Sequence, residues 1–186
     1  FWPDAEHGIF IDHLNNVWVG GGGTGASNAD SAVFKFAIDG TLLQTLGRKG
    51  VLPYDSNSRD TFGAPADIWV EEEDEEIWVA DGYGNRRVIV LDYDTGRYKR
   101  HWGAYGNDPV DAPTTYDPSA PPPDQFRPPV HCVLISNDEF VYICDRGNDR
   151  IQVFRKNGEF VFERFIAKNT TSAGSVWDIE FSNDAE

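Results

Sequence analysis

His7 and His131 are the residues on which a chemistry can be built. Each stands just ahead of a short apolar run, in His7-Gly-Ile-Phe-Ile-Asp12 and His131-Cys-Val-Leu-Ile-Ser136. A lone histidine at a strand start is ordinarily a polar cap on the core. Two at matched places suggest a pair of metal ligands, because catalytic zinc is held by neutral imidazoles with one coordination position left open.

The elements that position them are repeats. Self-similarity at a period of a few tens of residues marks propellers and solenoids. One copy runs from His7 through Val17-Trp18-Val19, Ala32-Val33-Phe34 and Leu42-Leu43 to Gly47. A second runs from Ala66 through Ile77-Trp78-Val79, Val88-Ile89-Val90 and Tyr98 to Gly103, and a third from His131 through Tyr142-Ile143, Ile151-Gln152-Val153 and Phe160 to Ile166. A fourth opens at Ser175-Val176-Trp177-Asp178-Ile179. Each complete copy holds four runs rich in Val, Ile, Phe, Tyr and Trp, separated by turns such as Asp39-Gly40 and Asn157-Gly158. That pattern predicts an all-β chain of propeller blades over about 7–47, 66–103 and 131–166, plus the first strand of a fourth at 175–186. Trp18, Trp78 and Tyr142 fall at equivalent second-strand places and are expected in the core. Propellers close with roughly four to eight blades, so the 186 residues read as a single partial propeller, 1–186, belonging to a longer one.

Composition narrows the function classes. The formal charge of −15 repels phosphate backbones and anionic lipid, which argues against nucleic-acid and membrane-surface partners. No apolar run approaches the roughly 18 residues of a membrane-spanning helix. Cys132 and Cys144 lie in neighbouring strands and face each other in a disulfide if the hairpin loop has three residues. Disulfides directly across paired strands are uncommon, so free buried thiols are the favoured of the two expectations. Glu71 to Glu76 reads as a solvated hairpin turn, and Gly20 to Gly25 lacks the lysine and following helix of a phosphate loop.

Because strands within a blade are antiparallel, the first-strand starts, the loops between second and third strands and the inter-blade segments all open on one face. This gathers His7, His131, the loop Asp81-Gly-Tyr-Gly-Asn-Arg-Arg87, the loop Asp145-Arg-Gly-Asn-Asp-Arg150 and the Pro-rich stretch 103–130 at one mouth of the channel. Asp81 with Arg87 and Asp145 with Arg150 read as ion pairs stapling their blades.

His7-Gly-Ile-Phe-Ile-Asp, Asp81-Gly-Tyr-Gly-Asn-Arg-Arg, Phe126-Arg-Pro-Pro-Val-His131 and Asp145-Arg-Gly-Asn-Asp-Arg-Ile-Gln-Val-Phe together resemble the NHL-repeat β-propeller of peptidyl-α-hydroxyglycine α-amidating lyase, over nearly the whole chain and in the same order. The resemblance implies a six-bladed ring, within the roughly four to eight of propellers, that holds zinc through three histidines. Two of them match His7 and His131, and the third would follow Glu186. It places an active-site tyrosine on Tyr83 and a substrate-carboxylate arginine on Arg146, with a second substrate arginine preceding Phe1. It also implies a structural calcium bound by the backbone carbonyl of Ile9.

Two departures stand out. Gly84 occupies the place of a disulfide cysteine, and the insertion Gly20-Gly-Gly-Gly-Thr-Gly25 replaces an Asp-containing loop. Two functions are therefore expected in competition. One is a zinc lyase that cleaves a carbinolamide C–N bond to an amide and glyoxylate. The other is a non-catalytic NHL platform that binds a protein or peptide. The resemblance leans towards a secreted or periplasmic location.

Overall fold

A computed structural model describes residues 2–25 and 30–182. Three four-stranded antiparallel sheets follow one another along the chain, each a meander. Blade one is β1 (Glu6–Ile11), β2 (Val17–Gly21), β3 (Ala32–Phe36) and β4 (Leu42–Gly47). Blade two is β5 (Asp67–Glu71), β6 (Glu76–Asp81), β7 (Arg87–Asp92) and β8 (Tyr98–Trp102), and blade three is β9 (Val130–Ile135), β10 (Phe140–Asp145), β11 (Arg150–Arg155) and β12 (Phe160–Phe165). Among the described residues the only helical pieces are 3-10 turns at Ala104–Gly106 and Arg146–Asn148, and no helix is long and apolar enough to cross a membrane.

Burial follows strand position. The middle strands β6 and β7 are apolar on both faces because blade two is packed between blades one and three. One core fills the space between blades one and two, with Trp18, Val33, Phe62, Ile68, Val79 and Ile89. A second joins blades two and three through Trp78, Val90, Trp102, Phe126, Val133 and Phe154. Each large apolar side chain buried this way contributes roughly 1.5–3 kcal/mol.

The inter-blade loops are fastened by buried charge. Arg87 Nε meets Asp81 Oδ2 at 2.8 Å, while its other nitrogens donate to the carbonyls of Ser56, Ser58 and Thr61. Blade three repeats the device: Arg150 Nε meets Asp145 Oδ2 at 2.6 Å and Nη2 reaches the Gln125 carbonyl. Both carboxylates also accept a loop amide, Asp81 from Gly63 and Asp145 from Arg127. The rim of the channel mouth is thereby tied to the core.

Three expectations need correction. Cys132 and Cys144 form a disulfide. The β9–β10 connection turns over the three residues between Ser136 and Phe140, closed by Ser136 N donating to Phe140 O, and β9 bulges at His131–Cys132. These set the two Cα atoms 4.8 Å apart, inside disulfide range. The stretch from Ser175 to Ser182 makes no strand, since no neighbouring strand of this chain pairs with it. It instead lays Val176, Ile179 and Phe181 over Cys132, Leu134 and Cys144, and residues 183–186 lie outside the described residues. Tyr142 is half-buried rather than core, with the Phe181 ring set edge-on against it at the outer face of blade three.

Candidate metal centre at the channel mouth

A bulge aims each histidine. His7 pairs with Gly20 and Ile9 with Val19, so Gly8, at φ +62°, is an extra residue in β1. In β9 the register slips in the same place, with Val130 opposite Asp145 and Val133 opposite Ile143. Blade two has no histidine at its first-strand start, and β5 pairs with β6 without a slip. Bulges bend a strand and redirect the side chain that follows, and they cluster next to functional sites. A side chain at Gly8 would also strike the Ala66–Asp67 backbone, so blade one can lean on blade two only with glycine there.

The bulged histidines meet. Their ring centroids are 4.9 Å apart, edge to face. His7 Nδ1 lies 2.6 Å from the carbonyl of Ala66, and His131 Nδ1 lies 2.5 Å from the carbonyl of Trp177. In each case the acceptor is the residue at the matching register of the next repeat. A carbonyl can only accept, so each Nδ1 carries the proton and the Nε2 of a neutral ring is bare. Fixing one ring nitrogen on a carbonyl is how ligating histidines are oriented.

Both Nε2 atoms face Tyr83 Oη, at 3.0 Å from His7 and 3.1 Å from His131. Tyr83 comes from the β6–β7 loop, and Gly22 backs it: a Cβ on Gly22 would stand 3.3 Å from the Tyr83 ring and 3.4 Å from His7 Cβ. The glycine insertion thus leaves room for the tyrosine. Arg146 follows β10. Its Nε donates to Ala173 O at 2.7 Å, its Nη1 lies 3.4 Å from Tyr83 Oη, and its guanidinium carbon stands 3.9 Å over the Trp177 ring.

Beside the histidines a cavity of about 330 Å³ is lined by His7, Gly8, Ile9, Ala66, Asp67, His131, Trp177 and Asp178. Burial pushes His131 down to about 4; the bond to Trp177 O pulls the other way, while the Arg146 charge and the proximity of His7 add to the fall. Burial likewise raises Asp67 to about 6, against the amide of Val133 that its carboxylate accepts.

The structure therefore brings His7, His131, Tyr83 and Arg146 together, and Ile9 lines the cavity beside them. Among the described residues no set of three His, Cys, Asp or Glu converges, so this chain contributes two imidazoles. Asp67 and Trp177 were not singled out as site residues from sequence. The register of the repeat held the signal for both, since each follows or occupies the position matched to the histidines.

This fold and this mouth define an NHL-type β-propeller. Within that class the chain is 33% identical over 157 residues to peptidyl-glycine alpha-amidating monooxygenase B of Xenopus laevis, covering 83% of this chain and 16% of the relative. It is 32% identical over 161 residues to the Rattus norvegicus peptidylglycine alpha-amidating monooxygenase, covering 84% and 14%, and 32% identical over 164 residues to human NHL repeat-containing protein 3, covering 85% and 42%. The chain thus spans less than half the length of these relatives. Among solved structures, a streptogramin B lyase aligns with TM-score 0.53 and 18% identity over 90% of this chain and 43% of that one. Virginiamycin B lyase from Staphylococcus aureus aligns with TM-score 0.51 and 13% identity over 88% and 42%, a likeness of fold. No family model matches the chain.

Proposed function

We propose that the complete protein is a zinc-dependent lyase that cleaves the C–N bond of a peptidyl α-hydroxyglycine, releasing a peptide amide and glyoxylate. One observation carries the reading: Tyr83 Oη stands within 3.1 Å of two histidine Nε2 atoms whose Nδ1 protons are held by carbonyls. The donor set suits zinc, which accepts neutral imidazole and requires further ligands from outside the described residues. Zinc bound there supplies Lewis-acid polarisation of the carbinol hydroxyl.

The chain's own residues do the rest. Arg146, backed by Trp177 and Ala173, holds the substrate carboxylate in a charge-assisted bond. Tyr83 Oη, between the two imidazoles, would act as the phenolate, accepting the carbinol proton as the C–N bond breaks and passing it on to the departing nitrogen. The departing amide nitrogen gains a proton, so the hydroxyl proton lost is balanced by the amide proton formed. The carbonyls of Ala66 and Trp177 keep both Nε2 atoms free of protons throughout. A calcium ion on the Ile9 carbonyl would be structural. The Cys132–Cys144 bridge supports a secreted or periplasmic location, where disulfides persist.

The test is metal analysis of the intact protein together with a glyoxylate-release assay. Close to one zinc per chain is expected, falling sharply in His131→Ala. Zinc without turnover would favour a metal-bearing peptide-binding platform, and absence of zinc from the intact protein would overturn the enzyme reading.

A further inference from the structure

We propose that Trp177 is the positioning residue of the carboxylate subsite, holding the Arg146 guanidinium in the plane in which it receives its ligand; this rests on the reading of Arg146 as the carboxylate-binding group. Arg146 is only 8% exposed. Its Nε is committed to Ala173 O, and Nη1 approaches Tyr83 Oη. Among the described residues its Nη2 donates to no protein acceptor. That nitrogen is not among the buried unpartnered atoms of the described residues, so it stays open at the mouth and available to a ligand.

The Trp177 ring covers one face of that guanidinium at 3.9 Å, and the Tyr83 ring lies further off at 5.8 Å. The indole is itself locked, its Nε1 donating to Gly174 O at 3.1 Å. A stacked aromatic stops the planar fork from rotating and keeps water from one side, which strengthens a pair with a carboxylate. Within this chain the Trp177 ring is 50% exposed, while the neighbouring Val176 is buried at 4%. The link from Trp177 to His131 runs through the backbone carbonyl. Replacing the side chain therefore loosens Arg146 and leaves the histidine's anchor in place.

The experiment measures hippurate binding by calorimetry on the intact protein, with the uncharged hippuramide as control, in the unmodified chain, Trp177→Leu and Trp177→Phe. Loss of the ring should weaken hippurate about fivefold to tenfold, and the smaller phenyl ring should restore most of it. Zinc content and hippuramide binding should not change. For α-hydroxyhippurate, KM should rise by the hippurate factor while kcat stays within about twofold. The inference is overturned if Trp177→Leu binds hippurate like the unmodified chain, if it loses hippuramide or zinc in step, or if the unmodified protein does not bind hippurate. Failure of the lyase reading looks different: the unmodified protein would release no glyoxylate while the hippurate pattern persisted.

Discussion

The carbonyl of Trp177 lies 2.5 Å from Nδ1 of His131, binding the ring from the segment that follows blade three. That bond fixes the tautomer and pulls towards protonation, but burial of the ring outweighs it and holds His131 down to about 4.

That depression sets a pH dependence in protein stripped of metal. An unfolded histidine titrates near 6.5, so between about 6.5 and 4 the unfolded chain binds the proton that folded His131 refuses. Its contribution to stability is whole above about 6.5, falls as pH drops through that window and is level below about 4. Asp67 acts in the opposite sense, since its folded value near 6 favours the native state at low pH and the gain is lost as pH rises through 6. The unmodified curve therefore shows the two offset. The difference between it and His131→Gln isolates the histidine: melting temperatures of chelator-treated protein should converge towards pH 4, and parallel curves would refute the assignment.

Tyr83→Phe removes one oxygen from between two imidazoles and leaves the ring against Gly22. Zinc content should hold, because both histidines keep their carbonyl anchors. Glyoxylate release should fall by about 100-fold or more, the scale of a lost proton acceptor. Retained turnover would move the proton transfer to another group.

Much of this arrangement was legible in the sequence. Apolar runs such as Val88-Ile89-Val90 and the recurring Asp…Arg pairs specify strands and staples through side-chain chemistry that repeats. The matched positions of His7 and His131 were visible for the same reason. What stayed hidden depends on the backbone. The bulge at His131–Cys132 is a property of strand pairing, and the disulfide follows from it. The carbonyls of Ala66 and Trp177 carry no side-chain signature at all, so only the folded register reveals that they hold the imidazoles. Tyr142 shares its pattern with Trp18 and Trp78 but differs in what covers it.

The Cys132–Cys144 bridge closes a loop with sequence separation 12. Constraining a loop of that size in the unfolded chain is worth about 2–3 kcal/mol. Denaturant unfolding with and without reductant, and of the double Cys132→Ser, Cys144→Ser variant, should show a loss of that size. Because Cys132 adjoins His131, the reduced protein should also hold zinc less tightly. Equal stability under both conditions would count against the bridge.

Gly82 is where the tyrosine loop touches the histidine strand. Its carbonyl accepts from Val130 N, one residue before His131, and a Cβ at Gly82 would overlap the Val130 backbone. Backbone cannot retreat as a side chain can, so Gly82→Ala must push the loop off β9 and carry Tyr83 away from the histidines. Overpacking of this kind costs about 1–3 kcal/mol, and the displaced phenol should lower kcat as well. Gly25→Ala is the matched control: no atom of the described residues stands within 4 Å of a Cβ there, so its effect should stay within about 0.5 kcal/mol. Thermal melts and turnover of the two variants decide the matter. Indistinguishable behaviour would mean that the contact between Gly82 and Val130 does not set the position of Tyr83.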